Sequence, residues 1–312
     1  MPINKLEHLF EWGKNTFSDH PSNHILFNFD SPEVKKIYLS TFLRLANHFQ
    51  KCDIRTAVAL TIGEIKELIQ LGWVVVDFTS SSSKIFDFVK DKSIADVKYI
   101  SNKIEKEVLK ALPETDFIGF QRHIVEQADL YHVDTYSLGS SSLGMIKNRH
   151  TELEPVFRTV QAVSFDLSAG RSSEWPGLNI CLPTGLSVEE ICQIFRYSGS
   201  SYQIEYFGLN DLHPEVWQNE DCVTSIAIAC WYFIEGVDSR VFKNDYAISG
   251  FQEFVLNVKD IEESLVFAIN TDDGKWWVRV EDSEKLIPCS KEDYERASMG
   301  FLSDRLFRKL FT

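Results

Sequence analysis

The chain has 312 residues, with 32 Lys and Arg against 46 Asp and Glu, giving a formal net charge of −14. Hydrophobic residues make up 44% and charged residues 25%, which excludes a disordered or low-complexity chain. The acidic balance argues against nucleic acid as a partner, because phosphate recognition needs clustered Lys and Arg. No run reaches the roughly 18 apolar residues that cross a bilayer, so no membrane insertion is expected.

The start, Met1 to Phe10, has no apolar leader core, and residues 5–16 are predicted as an amphipathic helix. His24–Phe29 reads as a strand. Ser31-Pro32-Glu33 is a helix start with Ser at the N-cap and Pro at the first helical position, and the apolar spacing carries that helix to about Gln50. Thr56–Thr61 and Trp73–Phe78 are short apolar runs of the kind found in buried parallel strands, separated by a helix over Gly63–Leu71. The alternation continues with a helix at Asn102–Leu112, a strand at Phe117–Phe120 and a helix at Ser142–Asn148. A strand at Ala162–Asp166, a helix at Val188–Tyr197, a strand at Gln203–Phe207 and an apolar helix at Cys222–Glu235 follow. Such a rhythm predicts a mostly parallel sheet covered on both faces. From Phe251 the pattern changes to Phe251–Val258, Leu265–Asn270 and Lys275–Val280, with the turn signal Asp272-Asp273-Gly274, then a helix over Ser290–Ala297. The expected organisation is a three-layer α/β/α domain over 1–245 and a small antiparallel appendage over 246–312.

Six cysteines (Cys52, Cys181, Cys192, Cys222, Cys230, Cys289) lack Cys-x-x-Cys spacing and read as reduced core thiols, which implies a cytoplasmic location. His123, His132, His150 and His213 form no metal-ligand spacing. No phosphate-binding glycine motif occurs, and Gly139–Gly144 lacks the spacing of a nucleophile elbow.

In a parallel α/β sheet the ligand end is the carboxyl end of the strands. There the stretch Ser164-Phe165-Asp166-Leu167-Ser168-Ala169, with Pro176-Gly177 and Glu189 to Gly199, resembles the metal-site strand and following helix of the arginase/ureohydrolase superfamily. Tyr206-Phe207-Gly208, His213-Pro214-Glu215, Trp231 to Gly236, Lys275-Trp276-Trp277 and Ile287 to Tyr294 continue the likeness. It is greatest to formimidoylglutamase-type proteins of Bacteroidetes-type bacteria, covers about residues 117–305, and is limited to element order in a shortened first hundred residues. Active members of that family are binuclear manganese hydrolases, with ligands from Gly-Gly-x-His, Asp-x-His-x-Asp and Ser-x-Asp-x-Asp motifs. The corresponding positions here are Thr61-Ile62-Gly63-Glu64, then Asp77 followed by Phe78-Thr79-Ser80-Ser81, then Asp166 with Ser168 in place of the second carboxylate. Asp211 is the acid expected after the Tyr206-Phe207-Gly208 strand. Imidazole is missing and carboxylates are sparse.

The resemblance therefore implies a pseudoenzyme with no metal cofactor, serving as a cytoplasmic binding or scaffold protein with a protein partner or self-association. Asp77, Asp166, Ser168, Asp211 and Glu64 are its vestigial metal positions. One alternative is a Mn2+-dependent hydrolase of a guanidino or formimino C–N bond using the same acids. Another is a metal-free sensor in which Arg171 reads a carboxylate. Beside these stands a plainer expectation, that Asp77 and Asp166 merely cap the following loops. The serine run Ser80–Ser83 with Lys84 is either a loop or an anion nest. Trp276 and Trp277 face opposite sides of a strand; the main expectation is that both are core, and the alternative is that one packs on the main domain and the other is open to a partner.

Overall fold

The computed structural model describes residues 2–8, 23–49, 51–81, 84–89, 94, 96–137, 139–148, 152–240, 250–258 and 261–311. In chain order the first elements are β1 (Glu7–His8), β2 (Asn23–Phe29), α1 (Pro32–Phe42), β3 (Cys52–Val58), α2 (Ile62–Gln70), β4 (Trp73–Phe78), α3 (Lys84–Val89) and β5 (Val97–Ile100). Next come α4 (Lys106–Ala111), β6 (Asp116–Ile118), α5 (Gln127–Tyr136), α6 (Leu143–Asn148), α7 (Leu153–Phe157), β7 (Ala162–Asp166), α8 (Val188–Ser200), β8 (Tyr206–Asn210), α9 (Pro214–Gln218) and α10 (Glu220–Asp238). The last are β9 (Phe251–Leu256), β10 (Leu265–Asn270), β11 (Trp276–Val280), β12 (Ile287–Cys289), α11 (Lys291–Ser298) and α12 (Asp304–Phe311). Two compact units result: Met1–Asn148 with Val160–Arg240, and Arg149–Thr159 with Val241–Thr312. The boundary expected at 245/246, and residues 9–16 of the helix expected over 5–16, fall outside the described residues; the first part of that helix is not formed, since Glu7–His8 is a strand paired antiparallel with β3.

In the first unit the sheet order is β1-β3-β2-β4-β8-β7-β5-β6. Every neighbouring pair is parallel except β1 with β3. Strands β2, β4 and β7 are apolar and buried along nearly their whole length, as a sheet covered on both faces requires. On one face Leu26, Val75 and Tyr206 pack under Ile65, Leu68 and Ile69 of α2 and Ile85 and Phe88 of α3. On the other, Phe27, Phe29 and Phe78 pack their rings on Tyr38 of α1. Capping boxes at Thr61/Glu64 and Ser187/Glu190 fix the starts of α2 and α8. Helices α8 and α10 approach closely because glycines line the contact. A Cβ on Gly199 would lie 2.1 Å from the Phe233 carbonyl oxygen, and one on Gly236 would lie 2.2 Å from that of Arg196.

Several boundaries depart from expectation. Helix α1 ends at Phe42 rather than near Gln50, and the Ala46 carbonyl beyond it accepts the Trp231 indole N–H at 2.7 Å. Strand β8 runs three residues further along the chain than its apolar pattern implies. Strand β5, α5, β12 and α12 are additions that the pattern did not reveal.

The second unit is a four-stranded antiparallel sheet, β12-β11-β10-β9, over a core of Leu265, Phe267, Val278, Ile287, Cys289 and Leu306. The turn at Asp272-Asp273-Gly274 is present, with Gly274 at φ +70. Segment Arg149–Thr159, expected in the larger domain, belongs here instead. Its Arg158 is buried, pairs with Glu154, donates to the carbonyls of Trp276 and Cys289, and lies 4.9 Å from the centroid of the Trp277 ring. Trp277 is buried beneath Arg158, and Trp276 stacks on Phe254 and Tyr294 at 5.6 and 4.8 Å. Trp276 remains partly exposed.

All six cysteines are free and buried. Among the described residues no helix is long and apolar enough to cross a membrane.

Candidate functional site

Near the carboxyl ends of the central strands, one face of the sheet turns polar. Parallel register aligns Asn28 with Asp77, Asp77 with Gly208, Gly208 with Ser164, and Asn210 with Asp166. Residues in register share a face, so polar side chains form a row across β2, β4, β8 and β7. All of them are buried.

Asp77 is wholly enclosed. Its Oδ1 accepts the Asn28 amide at 2.8 Å and its Oδ2 accepts the Tyr206 hydroxyl at 2.9 Å. The Asn28 amide is oriented by its own oxygen, which accepts the Leu60 N–H at 3.2 Å. Lys84 at the start of α3 brings its ammonium to 3.5 Å from Asp77 Oδ2 and 3.1 Å from Asp30 Oδ1. Burial pushes the Asp77 carboxyl up, against the pull of Lys84, Asn28 and Tyr206. Burial lowers the Lys84 ammonium, but Asp77 and Asp30 outweigh it and hold the group charged. Gly208 keeps this arrangement open, since a Cβ there would lie 3.2 Å from the Tyr206 hydroxyl oxygen.

Asp166 belongs to a second set. Its carboxylate accepts the Tyr99 hydroxyl of β5 at 2.7 Å and the Asn210 amide of β8 at 2.9 Å. The same amide donates to the Ser164 hydroxyl at 2.7 Å. Asp211 follows at φ +63, a left-handed conformation that aspartate tolerates better than most residues. Its carboxylate accepts the Ser168 backbone N–H and faces Lys103 and His213. Burial and the charge of Asp211 push Asp166 up to about 7. Burial also raises Asp211, against His213, Lys103 and the Ser168 N–H. The Ser168 hydroxyl lies 3.3 Å from that of Ser101, just past β5.

The structure thus brings Asp166, Ser168 and Asp211 together and leaves Asp77 in a neighbouring network, with β8 between their strands. Neither Asp77 nor Asp166 caps a loop, contrary to the plainer expectation; both carboxylates bridge strands. Glu64 joins neither network. It closes the α2 capping box on the Thr61 N–H at 2.9 Å and accepts Lys5 at 2.6 Å; those two bonds hold its carboxyl at about 2. Arg171 joins neither network; its Nε lies 2.5 Å from Glu174 Oε1 and its side chain is partly exposed. Lys84 serves Asp30 and Asp77 rather than an anion nest; Ser82, Ser83 and His150 lie outside the described residues. The partners Asn28, Tyr99, Asn210 and Tyr206 were missed. Their signal was a polar residue inside an otherwise apolar strand.

A pair of Mn2+ ions needs carboxylates and imidazoles with free lone pairs converging on one point. The Asp77 carboxylate instead faces two protein donors and an ammonium. The Asp166 carboxylate faces a hydroxyl and an amide. Among the described residues, no group of three or more His, Cys, Asp and Glu could hold a metal ion. This donor set does not fit a two-metal centre.

No protein-family model and no curated protein matches the sequence. Solved structures do match the fold. A Trypanosoma cruzi formiminoglutamase solved with Mn2+ matches at a TM-score of 0.59 and 12% identity, covering 75% of this chain and 99% of that one. A formimidoylglutamase from Bacillus subtilis matches at 0.54 and 10%, covering 72% and 90%. Arginase from Bacillus subtilis matches at 0.51 and 10%, covering 71% and 100%. The chain therefore has the α/β fold of the arginase and formiminoglutamase structures, with a four-stranded antiparallel sheet added.

Proposed function

We propose that this chain uses an arginase-type framework for binding and does not carry out two-metal hydrolysis. The observation that carries the reading is the engagement of its strand-end carboxylates by the protein's own donors. Asn28, Tyr206 and Lys84 surround Asp77, and Tyr99 and Asn210 hold Asp166. Buried carboxylates need such partners, and a metal ion would have to displace them. Ser168, where the resemblance calls for a carboxylate, extends the same pattern. The likeness to formimidoylglutamase-type proteins of Bacteroidetes-type bacteria, the loss of their metal motifs and a reducing, cytoplasmic location all belong to this proposal. So does engagement of a protein partner or of a second copy.

A second reading has one observation in its favour. Asp211 and Asp166 repel each other, and a cation between them would relieve that repulsion. In this reading the chain is a metal-dependent hydrolase of a formimino or guanidino C–N bond. Incubation of Mn2+-loaded protein with N-formimino-glutamate and with arginine separates the two. The binding reading expects no formamide, ammonia or urea above the protein-free rate. Catalytic release that is abolished by Asp166→Asn would replace it with the hydrolase reading.

A further inference from the structure

The connections leaving β2 and β4 diverge. From β2 the chain passes through α1 to β3, which lies on one side of β2; from β4 it passes through α3 to β5, beyond β8 and β7 on the other side. Loops that depart in opposite directions leave a crevice at the strand ends between them, where α/β sheets bind ligands. A cavity of about 390 Å³ lies there. Asp30 and Ser80 from the two diverging loops line it, with Ile37 of α1, Phe78 of β4, Leu212 from the loop after β8, and Trp217 of α9. Phe78 and Trp217 lie with their rings 6.4 Å apart. This cavity is on the opposite face of the sheet from the Asp166 set, because Phe78 and Asp77 are consecutive strand residues.

The wall is mostly apolar, and Asp30 is the charged group in it. Its carboxylate is held in place without being saturated. Oδ2 accepts the Ser80 N–H at 3.2 Å and Oδ1 accepts Lys84 at 3.1 Å. A carboxylate has about four lone-pair sites, so acceptor capacity remains. Behind it, Lys84 is shared with Asp77, so two carboxylates face one ammonium. Asp30 is thus the one acidic point in a wall that is otherwise aromatic, aliphatic and neutral polar.

From this juxtaposition we propose that the crevice between the β2 and β4 loops binds a small organic ammonium compound with an aromatic or branched aliphatic body. The ammonium pairs with Asp30 and the body lies against Phe78, Trp217 and Ile37. An anion is disfavoured by the Asp30 carboxylate, and the volume suits a single-ring compound at the small end of ligand sites. This deepens the binding role proposed above, but its test reads no hydrolysis, so either can fail without the other.

The test is titration calorimetry of the full chain with 2-phenylethylammonium, its neutral isostere 2-phenylethanol, and phenylacetate. Saturable 1:1 binding of the ammonium compound, at least tenfold tighter than the alcohol and with no binding of the anion, is the expected result. Asp30→Asn keeps the acceptor for the Ser80 N–H and removes the charge; it should weaken the ammonium compound at least tenfold and leave the alcohol unchanged. Val34→Phe, which fills the cavity from α1, should abolish binding of both while the folded circular dichroism spectrum is retained. No saturable binding, equal affinity for ammonium and alcohol, or affinity unchanged by Asp30→Asn would each overturn the proposal.

Discussion

Asp166→Asn tests the internal role of the polar row most searchingly, because a metal ligand and a packed carboxylate respond to it in opposite ways. Asp166 is 3% exposed and is raised from 3.8 to about 7 by burial and by Asp211. A folded-state value above the unfolded one means the folded chain binds the extra proton. Stability from this group is therefore fully present below about pH 4 and is lost as the pH rises through about 7. At ~1.4 kcal/mol per pKa unit, the whole window spans ~4 kcal/mol. Roughly 2–3 kcal/mol of it falls between pH 5 and pH 8. Asparagine has the same shape and no charge, and the Tyr99 hydroxyl can turn from donor to acceptor toward its amide. Urea unfolding of wild type and variant at both pH values supplies the measurement. The variant should gain stability relative to wild type on going from pH 5 to pH 8, by roughly 2 kcal/mol. An equal difference at the two pH values, or a variant that falls further behind at pH 8, refutes the reasoning.

Three further substitutions probe the supports around this row. Tyr206→Phe removes the hydroxyl bonded to Asp77 and should cost about 1.5–3 kcal/mol at pH 7, the range for a hydrogen bond to a charged group; urea unfolding reads it. Lys98 is buried between Asp96 and Asp116, so Lys98→Met removes the counter-charge both acids face, although Asp116 keeps the Ser137 hydroxyl and the Gly139 N–H, and should cost about 3–5 kcal/mol; a loss under 1 kcal/mol would show that the ammonium is not needed. Gly236→Ala drives a methyl group into the Arg196 carbonyl at the α8–α10 contact and should lower stability by roughly 3 kcal/mol, visible as a lower thermal midpoint.

The strands β4, β7 and β10 were legible because an unbroken apolar run has no other use in a sheet covered on both faces or packed on a core. Helix starts at Ser31 and Ser187 were legible because the cap residue is local, whereas Thr61, read as the end of a strand, proved to be the cap of α2. Strand β5 escaped because Lys98 reads as solvent-facing until Asp116 of β6 is known to sit beside it. The displaced β8 has a similar cause. Gly208 resembles a strand terminator, but it lies mid-strand, where a larger residue would crowd Tyr206. At the site, Asp77, Asp166 and Asp211 could be found from their places at strand ends. What each carboxylate faces could not, since Asn28, Tyr99 and Tyr206 reach them only through strand order. Glu64 shows the reverse hazard: an acid near a strand end whose role is set by the helix it begins.

The most direct measurement of the central claim is a count of bound manganese. Purified protein equilibrated with Mn2+ at pH 8 and then desalted should retain fewer than about 0.1 ions per chain by elemental analysis, because a metal ion would have to displace the protein donors that hold the buried Asp77 and Asp166 carboxylates. Retention of two ions per chain, lost together in Asp166→Asn, would contradict the account and make this framework a working metal centre.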